Sequence, residues 1–276
     1  MSSFDDHTSV SRRTLLRASG GMAAVLGAGT VRGGEDEDDA TNPSEYCDET
    51  TVGPSMVHYD HASECDDDHQ KTKKLQADVE TALDERFPTV GSLIDAGFIP
   101  YFDFLTAEEG AGWSHWLSPA FIGDDSVRDP TRPESVLVDH KWWRPIGVMF
   151  IATREGEQID PPPVYEDERG DGTERACVPW HAHVGLPGRY SWWKYRTYYA
   201  EHAPLVPEIQ CRTPWMMHVW AYPHPESVYA HAAPPRGSRG GPPAEEAGFE
   251  TDAVPGEDAL GPDVLPAVVK HRIKHR

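Results

Sequence analysis

The stretch 177–231 constrains the fold most, because its histidine, aromatic and apolar residues follow the two-residue repeat of β-strands. His181 and His183 are separated by a single residue, so a strand directs both imidazoles to the same face. His218 lies in a second strand-like run, 215–222, and shares a face with the apolar residues two positions before and after it. We therefore predict neighbouring strands that carry a histidine-lined pocket.

His115, which lies between two tryptophans in its own short run, is a further candidate ligand. Three neutral imidazoles with an open fourth position are typical of a catalytic zinc, and similar sets hold copper or iron. We predict a bound metal ion (copper, zinc or iron) with four histidine ligands: His181, His183, His218 and His115. A carboxylate such as that of Asp124 or Asp125 would complete a set that contains oxygen. In the competing interpretation, these histidines hydrogen-bond to ordinary neighbours in an aromatic core.

The other histidines receive different predictions. His58, His61 and His69 stand among aspartates near the start of the domain, where histidines are usually solvated, and a metal site is the alternative. We assign structural or exposed positions to four more: His140, His202, His224 and His231.

Four cysteines in an exported chain favour disulfide bonds. Proximity in sequence predicts the pairs Cys47–Cys65 and Cys177–Cys211, which would stabilise the fold by roughly 3 and roughly 3–4 kcal/mol in the chain-entropy model. A copper site with a cysteine ligand is a weaker alternative, because the methionines precede His218 where a blue-copper loop has them after the histidine.

Both ends of the chain differ in composition from a folded domain. Residues 1–32 contain the run S-R-R-T-L-L, which resembles a twin-arginine export motif, and then an apolar run too short to remain as a membrane-spanning helix. Residues 33–46 are an acidic linker, and residues 234–276 are rich in proline, glycine and charge. We predict a signal segment, a disordered linker, one globular domain over 47–233 and a disordered tail. The mature protein is expected outside the cell or on its surface, without a transmembrane segment.

The formal net charge is −21, from 46 acidic against 25 basic residues. Such a surface stays hydrated at very high salt, so we infer a halophilic protein. Nucleic acid is excluded as a partner, because phosphate binding requires a basic face. A small-molecule ligand is compatible with this charge.

A helical pair should precede the strands. Apolar residues from Leu75 to Phe87 follow a helical repeat with Asp67 or Asp68 as its cap, and a short second helix over 92–96 should end at Gly97. Strands are expected at 135–139 and 145–153, and a surface excursion at 155–175. We predict an α+β fold with a predominantly antiparallel, barrel-like sheet.

Several motifs resemble those of a family of uncharacterised exported proteins from bacteria and halophilic archaea. They are G-W-S-H-W-L-S-P, D-P-T-R-P-E-S-V-L-V, R-P-I-G-V-M-F and H-V-W-A-Y-P-H-P-E-S-V-Y-A. The resemblance covers roughly residues 70–235, aligns His115 and His218 with the family's first and late histidines, and implies no activity. The H-x-H pair also resembles the first metal motif of cupins, although no glutamate follows His183 at the cupin spacing.

Three hypotheses follow. The first is an exported metal-binding protein, the second a cupin-like, metal-dependent oxidoreductase or hydrolase, and the third a non-catalytic cell-surface structural or binding domain with these histidines in its core. No G-x-S-x-G motif, P-loop or dinucleotide fingerprint occurs, so no catalytic residue is assigned.

Overall fold

The structure, a computed structural model, describes residues 48–59, 65–106, 112–168, 174–199 and 208–274. The predicted signal segment 1–32, the linker 33–46 and Cys47 lie outside the described residues, as do His61 and His202. All described residues fall in one compact unit. Within these ranges, no helix combines the length and the apolar character needed to cross a membrane.

Eleven short strands form in the described part of the chain. In chain order they are β1 (Met56–His58), β2 (Ile99–Pro100), β3 (Trp113–Leu117), β4 (Ser135–Asp139), β5 (Pro145–Ile151), β6 (Thr153–Arg154), β7 (Glu157–Gln158), β8 (Tyr165–Glu168), β9 (Glu174–Cys177), β10 (His181–His183) and β11 (Met216–Trp220). Seven of them form one antiparallel sheet in the order β1-β10-β11-β5-β4-β3-β2. Two small pairs, β6 with β7 and β8 with β9, lie within or next to the predicted surface excursion 155–175. The predicted α+β class with a predominantly antiparallel sheet is confirmed.

The two faces of the large sheet carry different side chains, because successive residues of a strand point to opposite faces. One face, which we call the histidine face, presents His115, Leu117, Leu137, Met149, Ile151, His181, His183, Met216, His218 and Trp220. The opposite face presents residues of the main apolar core: Trp116, Val136, Val148, Phe150, Ala182, Met217 and Val219. The register therefore puts all four predicted ligands on one face.

The sheet curves around the histidine face. His115 on β3 and His218 on β11 are separated by β4 and β5, so in a flat sheet their backbones would lie about 14 Å apart at the usual strand spacing. Their Nε2 atoms are nevertheless 3.1 Å apart. A register shift between Leu137 and Val138 on β4 adds to the bend, as β-bulges do. The strand order of this sheet has two ends, with β1 at one edge and β2 at the other.

The predicted N-terminal helical pair is confirmed as α1 (Gln70–Arg86) and α2 (Val90–Asp95). The cap of α1 is His69, whose Nδ1 accepts from the backbone N–H of Lys71 at 3.2 Å, in place of the predicted Asp67 or Asp68. His69 also stacks on Tyr165, with ring centroids 3.7 Å apart, so its imidazole serves the fold.

Four further helices were not predicted: α3 (Asp103–Thr106), α4 (Pro119–Ile122), α5 (Leu186–Tyr199) and α6 (Ala267–Lys274). Of these, α5 matters most for the site, because it covers the histidine face with the buried side chains of Trp192 and Tyr195. The apolar residues of the face beneath α5 are thereby shielded from water.

The prediction of a disordered C-terminal tail differs from the structure, in which residues 234–274 pack against the domain. Leu260, Leu265 and Val269 are buried in the main core. Arg239 donates to the buried carboxylate of Asp139 on β4, with Nη1 and Oδ2 2.6 Å apart. Proline, glycine and charge content suggested disorder, but a few widely spaced apolar residues and one buried ion pair attach this segment to the sheet.

The predicted disulfide pairs are wrong, because Cys65 is bonded to Cys177. The hydroxyl of Tyr165 on β8 accepts from the backbone N–H of Asp66 at 2.7 Å, and Tyr165 pairs with Cys177 on β9. This contact brings Cys65 beside β9, although the two cysteines are 112 residues apart. Cys211 is also disulfide-bonded.

Candidate metal centre

Strand β10, next to the edge strand β1, is fixed on both sides, and this sets the positions of His181 and His183. The backbone N–H of His183 donates to Thr213 Oγ1, and its carbonyl accepts from the N–H of Thr213, both at 3.0 Å. On the other side β1 pairs with β10 and puts His58 opposite His181. Helix α5 passes close above: a Cβ added to Gly188 would lie 2.9 Å from the Cβ of His183.

The loop after β11 returns over the histidine face and brings in His231. Trp220 organises this return, because its backbone N–H donates to the carbonyl of Val228 at 3.0 Å and its indole Nε1 donates to the carbonyl of Ala230 at 2.7 Å. The His231 ring centroid consequently lies 4.9 Å from that of His181 and 5.4 Å from that of His183.

His181, His183 and His231 form a cluster, which we call the triad, that could hold a metal ion. Each offers one ring nitrogen, and these three atoms lie within 4.8 Å of one another. Some point is therefore within about 2.8 Å of all three atoms. Because zinc–nitrogen bonds measure about 2.0–2.1 Å, ligation requires each ring to move by less than about 1 Å.

The triad is held in the neutral form that binds metals. Burial first, and then positive charge on neighbouring histidines, lowers the pKa of His183 and of His231 from 6.5 to about 4. The pKa of His181 is lowered well below its usual value for the same two reasons. His231 is exposed as a residue, but its ring stands among the other imidazoles.

One atom of the triad has no partner in the described part of the chain. His181 is 3% exposed, and its Nε2 makes no hydrogen bond to a described residue. Leaving a buried polar atom unsatisfied costs about 1–3 kcal/mol. A cation bound to this nitrogen would remove that cost.

The other two predicted ligands form an adjacent pair. His218 Nε2 lies 3.1 Å from His115 Nε2, and the His218 ring centroid is 5.3 Å from those of His181 and His231. His115 Nδ1 is 2.6 Å from Asp103 Oδ2. The predicted set is thus divided: His181 and His183 belong to the triad, and His115 and His218 to the neighbouring pair.

A cleft of about 460 Å³ opens beside these histidines. His115, His183 and His231 line it together with the carboxylate of Asp103. Its walls are largely aromatic and apolar, and they include Tyr101, Phe102, Trp113, Trp192, Met149 and Met216. The opening gives a small molecule a route to the triad and to the pair at once.

A second, smaller cleft of about 250 Å³ reaches the triad from another side. His58, His181 and His231 line it with Cys65 and Tyr229. His58 is exposed, and its positive charge would lower the pKa of both His181 and His231. The region 56–58 therefore contributes to the site, although the sequence grouped His58 with His61 and His69.

Two residues of the site were missed by the sequence analysis. His231 was assigned a structural or exposed position, and the structure puts its ring in the triad; its signal was that it ends the same aromatic-rich stretch, 13 residues after His218. Asp103 occupies the carboxylate position for which Asp124 or Asp125 was considered. Asp124 instead accepts from Arg132 and Ser126.

His140 agrees with its structural assignment. Its Nε2 lies 2.7 Å from the hydroxyl of Ser114, and burial lowers its pKa from 6.5 to about 4. His140 is therefore a buried neutral histidine with an ordinary partner, which makes it a useful comparison for the triad.

Comparisons of the chain with protein-family models, with curated proteins and with solved structures return no match. The functional argument consequently starts from the geometry of the histidine face and of the cleft above it.

Proposed function

We propose that this chain is an exported metal-binding protein whose ion is held by His181, His183 and His231. One observation carries the proposal: three neutral ring nitrogens converge within 4.8 Å, and the most buried of these residues, His181, has an Nε2 that finds no hydrogen-bond partner among the described residues. Burying three imidazoles in one place costs desolvation free energy, and an apolar core would gain nothing in return.

The donor set favours a first-row transition metal. Neutral imidazole nitrogens suit zinc, copper and iron, whereas calcium and magnesium prefer oxygen ligands. Three protein ligands leave a coordination position for water or substrate, as in catalytic zinc sites. The cleft beside His183 and His231 supports access to that position from solvent.

A metal-dependent enzyme is the second candidate, and the cleft is the observation that favours it. The same opening is lined by two triad histidines, by the Asp103 carboxylate and by aromatic walls suited to an apolar substrate group. We propose an oxidoreductase or a hydrolase, with the metal as Lewis acid or redox centre. The third candidate, a binding domain with core histidines, is less supported, because it leaves His181 Nε2 unexplained.

Export is part of the proposal. The Cys65–Cys177 disulfide is compatible with an oxidising compartment, and the twin-arginine motif and the acidic surface support secretion into a saline medium. Replacing Arg12 and Arg13 with lysine in the full chain should leave the precursor inside the cell, as followed by immunoblotting of medium and cells. Unchanged secretion would contradict the twin-arginine route.

Metal binding is tested by elemental analysis of the exported protein and by titration of the chelator-treated protein with Zn²⁺, Cu²⁺ and Fe²⁺. Each of the variants His181→Gln, His183→Gln and His231→Gln should bind at least one equivalent fewer than the parent. The matched control is His140→Gln, which removes a buried neutral histidine outside the triad and should bind as the parent does. A parent that binds none of these ions, although folded, would refute the proposed function.

The enzyme candidate has its own test. Hydrolysis of chromogenic esters and oxidation of small phenols are measured before chelation, after chelation and after return of the metal. Activity that follows the metal content, and that falls in a Trp113→Ala variant which still binds metal, is expected if the cleft is a substrate site. Activity indifferent to chelation would exclude a metal-dependent enzyme.

A further inference from the structure

We propose that His115 and His218 hold a second divalent transition-metal ion beside the triad. The inference deepens the proposed metal function by making the centre dinuclear, and it rests on a different set of contacts. The two Nε2 atoms face each other at 3.1 Å. The partners of the two Nδ1 atoms decide what lies between them, because each neutral imidazole carries one N–H and one lone pair.

Asp103 determines which ring nitrogen of His115 carries the proton. Asp103 Oδ2 lies 2.6 Å from His115 Nδ1 and also accepts the backbone N–H of His115 at 3.0 Å. A carboxylate oxygen that already accepts one N–H is suited to accept a second, so we assign the ring proton of His115 to Nδ1. The Nε2 of His115 then carries a lone pair.

The loop after β11 determines which ring nitrogen of His218 carries the proton. His218 Nδ1 lies 3.0 Å from the backbone carbonyl of His231, and a carbonyl oxygen can only accept. The ring proton of His218 is therefore on Nδ1, and its Nε2 also carries a lone pair.

Two lone pairs thus face each other where a hydrogen bond would need one donor. The pair is satisfied only by a cation between the nitrogens. Two bonds of about 2.0–2.1 Å to one metal, with the nitrogens 3.1 Å apart, give an angle near 100° at the ion, between the octahedral and tetrahedral values. The Nδ1–H contacts to a carboxylate and to a carbonyl are the supporting contacts that metal-ligating histidines usually make.

The surroundings suit a second ion. The Asp103 carboxylate supplies negative charge next to His115, and both residues line the 460 Å³ cleft, so an ion can enter from solvent. The His218 ring is 5.3 Å from His181 and from His231 between centroids, which makes the pair an immediate neighbour of the triad. The ligand class is a first-row divalent ion, and a substrate in the cleft would meet both ions.

The test counts Zn²⁺ in four proteins after removal of free metal: the parent, His183→Gln in the triad, His115→Gln in the pair, and Asp103→Asn. The parent should hold two equivalents, and His183→Gln and His115→Gln one each. Asp103→Asn keeps the shape of the side chain, and by calorimetric titration it should weaken one of the two binding events about 10–100-fold while the other is unchanged. It also keeps the proposal testable if His115→Gln fails to fold.

The outcomes separate the two proposals. One equivalent in the parent, lost in His183→Gln and retained in His115→Gln, overturns the second ion and leaves the triad in place. One equivalent lost in both variants indicates a single shared centre and also overturns the second ion. One equivalent lost only in His115→Gln refutes the triad and supports the pair. No bound zinc refutes both, and the cation between His115 and His218 is then a proton.

Discussion

The Cys65–Cys177 disulfide should be a major source of stability, because it closes a very long loop. The two cysteines are 112 residues apart, and the chain-entropy model assigns such a cross-link about 4.8 kcal/mol, against roughly 3 kcal/mol for the short loops expected from sequence proximity. Replacing both cysteines with alanine should lower the free energy of unfolding by about that amount, less any structure retained in the unfolded chain. At about 2–4 °C per kcal/mol, the melting temperature should fall by about 10–20 °C.

Urea unfolding monitored by tryptophan fluorescence measures this loss, at one fixed salt concentration because of the acidic surface. Val178→Ala is the matched control: it truncates a buried side chain next to Cys177 without removing a cross-link, and should cost about 1–2 kcal/mol. A double-alanine variant that loses no more stability than this control would refute the argument that the disulfide restricts the unfolded chain. Retention of zinc by the double variant would show that the site does not need the cross-link.

Three other perturbations follow from the structure. Arg239→Met leaves the buried Asp139 carboxylate without its cation and should cost about 3–5 kcal/mol in urea unfolding; parent-like stability would contradict a packed C-terminal segment. Gly188→Ala puts a methyl group 2.9 Å from His183 Cβ, so α5 or His183 must shift, and zinc affinity measured by calorimetric titration should fall by about tenfold or more. The metal-free protein should lose stability as the pH falls from about 6.5 to about 4, because His140 and His183 bind protons in that window only when unfolded. Each adds a slope of up to about 1.4 kcal/mol per pH unit, and flat stability over this range would contradict their buried neutral state.

The two-residue repeat was the most informative part of the sequence. It puts His181 and His183 on one strand face. For His115 and His218, the neighbours two positions away share their face both in the sequence pattern and in the observed register. The repeat does not specify which strands are neighbours, because pairing depends on contacts between distant segments. The order of the sheet and the spatial relation of the four histidines therefore could not be predicted.

The missed elements share a physical cause. His231 lies in a loop, and Asp103 lies at the start of a four-residue helix. In neither place does a sequence periodicity indicate which side chains face a site. Helix α5 begins with Leu186, Pro187 and Gly188 and is rich in aromatic residues, which is a composition typical of turns and strands. The C-terminal segment has too few apolar residues to form a core of its own, and it becomes ordered only by covering an existing one.

The curvature of the sheet explains why histidines from distant strands form one site. All of them lie on the same face, and the bend brings their side chains into contact. Without the bend, the backbones of His115 and His218 would stand about 14 Å apart, too far for their two imidazoles to come into contact. Gly147, on β5 between the two, permits close packing at this point: an added Cβ would lie 2.8 Å from the carbonyl of Val219. The ring of Trp220 occupies that space, contacts Trp113 on β3 at 5.3 Å between centroids, and so links strands that are not neighbours in the sheet. Trp113 and Trp220, which lie on the histidine face, therefore also help to hold the histidines together.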